Sequence, residues 1–148
     1  MRPWSRGNIA NYAWIALAVA ALVAIIFVLS NRFPDIRPEN SAQTAAGARI
    51  FLSFCAGCHG RNLQGEPGWP NRKPNGHLPA PPLNASGHSW VHEDSELVDI
   101  IRNGQTNSDM PGFSGALSND DIAGVIAFIK TMWPAEERAH QEHLSGEK

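Results

Sequence analysis

The chain is poor in the materials of several common sites. It has two cysteines in 148 residues, Cys55 and Cys58, so a cysteine-rich zinc cluster has no third member. Positive charge is scarce: 12 Lys and Arg against 14 Asp and Glu give a net −2 at pH 7, without the basic footprint of a nucleic-acid binder. No stretch alternates apolar and polar residues with a period of two, and no segment repeats, so neither a sheet nor a solenoid is expected. Charge is missing altogether between Arg6 and Arg32.

That last absence is itself a signal. Ile9 to Leu29 is a run of 21 uncharged residues, about 31 Å long as a helix and close to the ~30 Å hydrocarbon core of a bilayer. Trp4, Tyr12 and Trp14 near one end and Phe33 near the other suit interfacial anchoring. A cleavable secretory signal is the rival, but its apolar region normally spans about 7–15 residues and ends at a small-x-small site. Here Arg32, Phe33, Pro34 and Asp35 follow the run directly, and Ser41-Ala42-Gln43 fits a cleavage site poorly. Residues 1–30 are therefore expected to be a single transmembrane signal anchor, and residues 31–43, with two prolines and mixed charges, a linker. The remaining length has room for one small domain, residues 44–134, and a polar tail, residues 135–148.

The two cysteines are not scattered. Cys55-Ala56-Gly57-Cys58-His59 places them three apart with a histidine directly after the second, the covalent attachment signature of a c-type haem. Each thiol adds across one haem vinyl group, and one helical turn sets the two sulfurs at the required separation. His59 then offers Nε2 to the iron as an axial ligand. Three other readings compete. A thioredoxin-like site needs a preceding strand, but Ala45 to Phe54 has a helical apolar pattern and one β-branched residue. A zinc site lacks its other ligands, and a disulfide across a two-residue gap would be strained and leave His59 unexplained.

The surrounding pattern is helical throughout. A first helix is expected from about Thr44 to Phe54, with Ile50, Phe51 and Phe54 as its apolar stripe. Gly47 inside it costs about 1 kcal/mol against alanine, and is either accidental or the mark of a close packing partner. Residues 61–82 hold six of the eleven prolines, which excludes a regular helix and suggests an irregular loop wrapped around something. Glu96 to Asn103 reads as a short amphipathic helix with Leu97, Ile100 and Ile101 inward, Asp94 as N-cap and Gly104 as its stop. Ser118 to Asp121 resembles a capping box, followed by Ile122, Val125, Ile126, Ile129, Met132 and Trp133 at helical spacing before Pro134. Beyond Pro134 a frayed, charged tail is expected.

A haem iron held by His59 has a second axial position, whose occupant decides between electron transfer and ligand chemistry. Met132 falls on the inner face of a helix, where methionine is usually core filler. Met110 lies in a loop, and Pro111 after it restrains its backbone to an extended form. Met110 is thus the leading sixth ligand, with His77, His88, His92 or an open site as the alternatives.

With these residues in view, the chain resembles the class I c-type cytochromes, specifically bacterial membrane-anchored monohaem members. The resemblance covers roughly Ala45 to Pro134: CAGCHG, an APPL segment (Ala80 to Leu83), Gly87-His88-Ser89-Trp90, Asn103-Gly104, DMPGF (Asp109 to Phe113) and the closing helix. It implies an all-α domain around one haem c, bound covalently by Cys55 and Cys58, with iron between His59 and Met110. It implies that the first and last helices cross near Gly47, with Phe128 packed there. A proline carbonyl, from Pro81 or Pro82, should accept the His59 Nδ1–H bond. Trp90 and Arg72 are the candidate contacts of the haem propionates. Because such haem is attached outside the cytoplasm, the domain should face the periplasm from the bacterial inner membrane, with the N-terminus inside.

The expected function is one-electron transfer between respiratory complexes, without catalysis, nucleic acid or a small-molecule substrate. From Ser41 onward 8 Lys and Arg face 12 Asp and Glu, so a redox partner with a basic docking patch is expected, besides the lipid around the anchor. Two other functions remain open: a haem subunit or electron-entry domain of a larger membrane oxidoreductase, and an open-site sensor or peroxidase.

Overall fold

A computed structural model of the chain describes residues 6–30 and 35–146, with side chains of the first helix described over residues 12–26. Contacts divide the chain into two units, Met1–Phe33 and Pro34–Lys148.

The described residues of the first unit form one helix, α1 (Arg6–Ser30), uninterrupted by proline. Its described large apolar side chains, from Val19 at 55% to Trp14 at 73% exposed, point outward at every angle about the axis. Among the described residues no helix is long and apolar enough to cross a membrane, which leaves the expected anchor unsupported by them. Trp4 and Phe33, read as interfacial anchors, lie outside the described residues.

The second unit is built of helices: α2 (Ser41–Phe54), α3 (Ala56–His59), a 3₁₀ turn (Ser89–Val91), α4 (Asp94–Asn103), α5 (Asn119–Thr131) and α6 (Ala135–Gly146). Among the described residues there is no strand, only an isolated parallel bridge between Leu78 and Ser108. The fold is all-helical, as expected.

α2 starts three residues before the expected position, inside the stretch read as linker. Asn40 is the reason: its side-chain oxygen accepts from the Ala42 and Gln43 amides at 3.1 Å each, satisfying two donors of the first turn. α5 carries the expected capping box. The Ser118 hydroxyl accepts from the Asp121 amide, and the Asp121 carboxylate accepts from the Ser118 amide. α2 and α5 cross backbone to backbone at Gly47, where a Cβ would lie 1.8 Å from the Gly124 carbonyl oxygen. Phe128 sits one turn further along, its ring 5.4 Å from that of Phe51. Close approach lets the helices interdigitate Phe51, Val125, Ile129 and Trp133 with Leu63, all buried. A second cluster, Val98, Leu117, Ile122 and Ile126, joins α4 to α5.

Four local expectations are corrected. α4 begins at Asp94, with Glu93 as N-cap, because the Asp94 carboxylate is occupied elsewhere: it pairs with Lys130 Nζ at 2.7 Å. Its innermost residue is Val98, fully buried, whereas Leu97, Ile100 and Ile101 are half-buried. Met132 is not core filler. α5 ends one residue earlier, and Met132 caps it with its side chain 44% exposed. The expected polar tail is the helix α6. Gln141 is its buried residue, and the Gln141 amide donates to the His92 carbonyl, Asp94 Oδ1 and Ser145 Oγ. The His140 ring meets Trp90 edge to face at 5.9 Å.

Candidate functional site

Cys55, Cys58 and His59 occupy one turn, where α2 passes into α3. The Cys55 carbonyl accepts from the Cys58 amide at 3.2 Å and from the His59 amide at 2.9 Å, so a single backbone oxygen organises the motif. Both cysteines are free thiols, Cys55 half-buried and Cys58 exposed. Burial, and then the neighbouring Cys58, push the Cys55 thiol up to about 11, so it stays S–H rather than thiolate at neutral pH.

His59 is buried, and its Nδ1 lies 2.9 Å from the Pro81 carbonyl oxygen. A carbonyl only accepts, so Nδ1 carries the proton and Nε2 is left with its lone pair. Burial lowers the His59 pKa, against the bond to Pro81, which raises it. The imidazole is therefore a neutral, oriented donor. Pro81 is itself fixed by its neighbours. Glu66 and Ala80 exchange backbone and side-chain hydrogen bonds, with Glu66 N–H to Ala80 O at 2.9 Å and Ala80 N–H to Glu66 Oε2 at 3.2 Å. Leu83 donates its amide to Leu63 O, and its carbonyl accepts from Trp133 Nε1 at 2.8 Å.

Met110 is half-buried in the loop between α4 and α5. Its amide donates to Ser108 Oγ at 3.1 Å and its carbonyl accepts from the Gln105 amide at 3.3 Å. Gly104, at φ +78°, closes the base of this loop. A Cβ there would stand 2.7 Å from the Gly112 nitrogen and 2.8 Å from the Met110 carbonyl oxygen. The Phe113 amide donates to Ile101 O, which stitches the far side of the loop to α4.

The three rival histidines are engaged elsewhere. His77 Nδ1 pairs with Asp109 Oδ1 at 2.5 Å, His88 stacks on Trp69, and His92 Nδ1 pairs with Glu96. Arg72, read as a propionate contact, gives Nη1 to the Gly76 carbonyl at 2.7 Å. Trp90 is different: its indole Nε1 is buried without any hydrogen-bond partner in the protein. A buried N–H donor with nothing to donate to carries a desolvation cost. Among the described residues no three His, Cys, Asp or Glu converge on a metal position, which removes the zinc reading its geometry.

The residues that sequence reading passed over are Glu66, Lys73 and Asp109. Lys73 Nζ lies 2.8 Å from Glu66 and 2.9 Å from Asp109, joining the proline-rich loop to the Met110 loop. Their only signal in the sequence was that so irregular a loop needs a reason to be ordered.

The family described as cytochrome c oxidase, cbb3-type, subunit III matches residues 42–129, more than half of the chain. The chain belongs to the class I c-type cytochromes. It is 32% identical over 112 residues to a cytochrome c6 of Picosynechococcus sp., a match covering 73% of this chain and 89% of that one. It is 29% identical over 90 residues to the cbb3-type cytochrome c oxidase subunit FixP of Bradyrhizobium sp., covering 60% of this chain and 27% of that subunit. Among solved structures, cytochrome cL of Methylophaga aminisulfidivorans superposes with a TM-score of 0.57 at 20% identity, over 80% of this chain and 73% of that one, and so shares the fold.

This cytochrome carries one covalent c-type haem, and Cys55 and Cys58 fit a CxxCH-type site. The local chemistry agrees: two free thiols share one turn with a histidine whose Nε2 keeps its lone pair. Its activity is electron transfer.

Proposed function

We propose that this cytochrome is a one-electron carrier in which His59 and Met110 would hold the haem iron. Cys55 and Cys58 each add S and H across one vinyl group, leaving two thioether bonds. The bound haem supplies a one-electron couple, and a thioether opposite an imidazole favours its reduced state relative to two imidazoles. The chain's own residues do the rest. His59 would offer Nε2 to the iron while Pro81 holds Nδ1–H, and the Met110 loop would supply the thioether. With His59 and Met110 both holding the iron there would be no open position for a substrate, and the protein would transfer electrons without chemistry of its own. The observation that carries this reading is the bond from His59 Nδ1, in the cysteine turn, to Pro81 O of the proline-rich loop.

The acidic domain, with 12 Asp and Glu against 8 Lys and Arg from Ser41 onward, suits a partner with a basic docking patch, through contacts that weaken with salt. The uncharged run Ile9–Leu29 and the outward apolar side chains of α1 support anchoring in the bacterial inner membrane, with the domain in the periplasm between respiratory complexes. Carbonate washing of membranes from cells making the full chain tests the anchor: release of the haem protein refutes it.

The deciding experiment is absorption spectroscopy of the haem-loaded chain, with carbon monoxide added to the reduced form. An iron–thioether band that Met110→Ala removes, and no carbon monoxide binding in wild type, support the reading. Ready binding by wild type moves an open-site sensor or peroxidase ahead. A second reading, a haem subunit of a larger oxidase, is favoured by the match to cbb3-type subunit III. Stoichiometric co-purification of membrane partners would support it.

A further inference from the structure

Both proposed axial ligands are attached to the same irregular loop, and three charged side chains complete the attachment. On one side, His59 bonds to Pro81, next to Ala80, which is paired with Glu66. On the other, Asp109 immediately precedes Met110. Lys73 stands between them, its Nζ 2.8 Å from Glu66 Oε2 and 2.9 Å from Asp109 Oδ2, across 36 positions of sequence in the second case. The other oxygen of Asp109 takes His77 Nδ1. The backbone runs alongside: the Leu78 amide reaches the Asn107 carbonyl at 3.4 Å, and the Lys73 amide closes a turn on the His77 carbonyl at 2.8 Å.

An isolated surface ion pair holds little. This one differs in that a single ammonium, its side chain 26% exposed, engages carboxylates from two separate loops. The hydrogen bond with Lys73 holds the Glu66 carboxyl below its usual range. Lys73 is raised in turn, by its bond to Glu66 first and then by that to Asp109.

We propose that Lys73 is a positioning residue: by clamping Asp109 to Glu66 it holds the loop that carries Met110 against the segment whose Pro81 orients His59. The clamp rests on the reading of Met110 as an axial ligand. Removing it leaves both ligands in place but lets the Met110 loop open more often, so that an external ligand reaches the iron faster. Coupling through such a network is measured as a fold-change between sites.

The test uses the haem-loaded chain as wild type, Lys73→Met and Lys73→Arg. Lys73→Met should weaken the iron–thioether band and raise the rate of carbon monoxide binding to the reduced protein on the order of tenfold. Lys73→Arg, which keeps the charge, should restore most of both. Glu66→Gln with Asp109→Asn should add little to Lys73→Met, because all three remove the same clamp. Hydrogen exchange at the Leu78 and Gln105 amides should quicken in Lys73→Met, and 1 M salt should move wild type toward the variant. A Lys73→Met protein with the wild-type band, carbon monoxide rate and amide exchange overturns the proposal. If wild type itself has no band and binds carbon monoxide at once, the axial reading fails and the positioning role with it. Amide exchange then tells that failure from failure of the clamp, since quickened exchange at Leu78 still follows from a real tie between the loops.

Discussion

The crossing of α2 with α5 and the loop from Arg61 to Pro82 hold the same haem turn by opposite means. At the crossing, two regular helices touch backbone to backbone at Gly47 and Gly124, and bury Phe51, Val125 and Ile129 around the contact. Apolar burial is non-directional, and its strength comes from density, so this region gains stability and tolerates no added atoms. The loop has little regular structure and is held by discrete links: His59 to Pro81, Leu83 to Leu63 and Trp133, and Lys73 to its two carboxylates. Each link is directional and separately removable. The crossing therefore determines whether the domain folds, and the loop determines how the two candidate ligands are presented.

The largest effect should come from adding atoms at the crossing. Gly47→Val places a side chain where a Cβ alone lies 1.8 Å from the Gly124 oxygen, so α5 must move away from α2. A loss of about 3 kcal/mol or more is expected in urea unfolding of the haem-loaded protein. Any folded fraction should keep its haem spectrum. If stability is unchanged, the crossing is not the rigid half of the molecule.

A buried charge sharpens the same contrast. The Lys130 side chain is 3% exposed and its ammonium is held by Asp94. Asp94→Ala strands that ammonium and should cost about 3 kcal/mol, whereas Lys130→Met, which removes the charge itself, should cost less than about 1 kcal/mol. Denaturation midpoints of the two variants check the asymmetry, and neither should change carbon monoxide binding.

How far the sequence announced this molecule follows the same division. Cys55, Cys58, His59, the Ser118–Asp121 capping box, the Gly47 crossing and a proline carbonyl for His59 were readable because each is a local pattern or belongs to the family resemblance. The α6 helix was not. Its composition is that of a solvated tail, and its order depends on Gln141 reaching His92 and Asp94, 49 and 47 residues away. Met132 was misplaced because helical spacing continues one residue past the point where the helix ends. The Lys73 clamp is a meeting of three loop residues with no periodicity, so only the fold brings it into view. The start of α2 was displaced because asparagine caps through its side chain, and apolar periodicity does not register that.

The loop side of the comparison is broken most directly at Gly104. Gly104→Ala forces a left-handed residue to carry a Cβ 2.8 Å from the Met110 carbonyl, at a cost of about 2 kcal/mol. Unlike Gly47→Val, it should also quicken carbon monoxide binding to the reduced protein, because the strain falls on the Met110 loop. A stability loss with unchanged binding would mean that the base of the loop does not govern the ligand.

The smallest effect should come from the α5 cap. The Asp121 carboxylate accepts from the Ser118 hydroxyl at 2.7 Å and from the Ser118 amide at 2.9 Å, and these bonds, the hydroxyl first, hold it below its ordinary value of 3.8. A carboxyl whose folded pKa lies below its unfolded one binds fewer protons when folded. It therefore adds stability that is fully present above the unfolded value and is lost as pH falls through the folded one. Asp121→Ala should cost about 1 kcal/mol at pH 7 and progressively less toward pH 3, as the wild-type carboxyl is itself protonated. Urea midpoints of the two proteins should thus converge in acid. Parallel curves would mean that the cap works through helix geometry rather than charge. Because α5 supplies the Gly124 face of the crossing and not the Met110 loop, the haem spectrum and carbon monoxide rate should stay at wild type throughout.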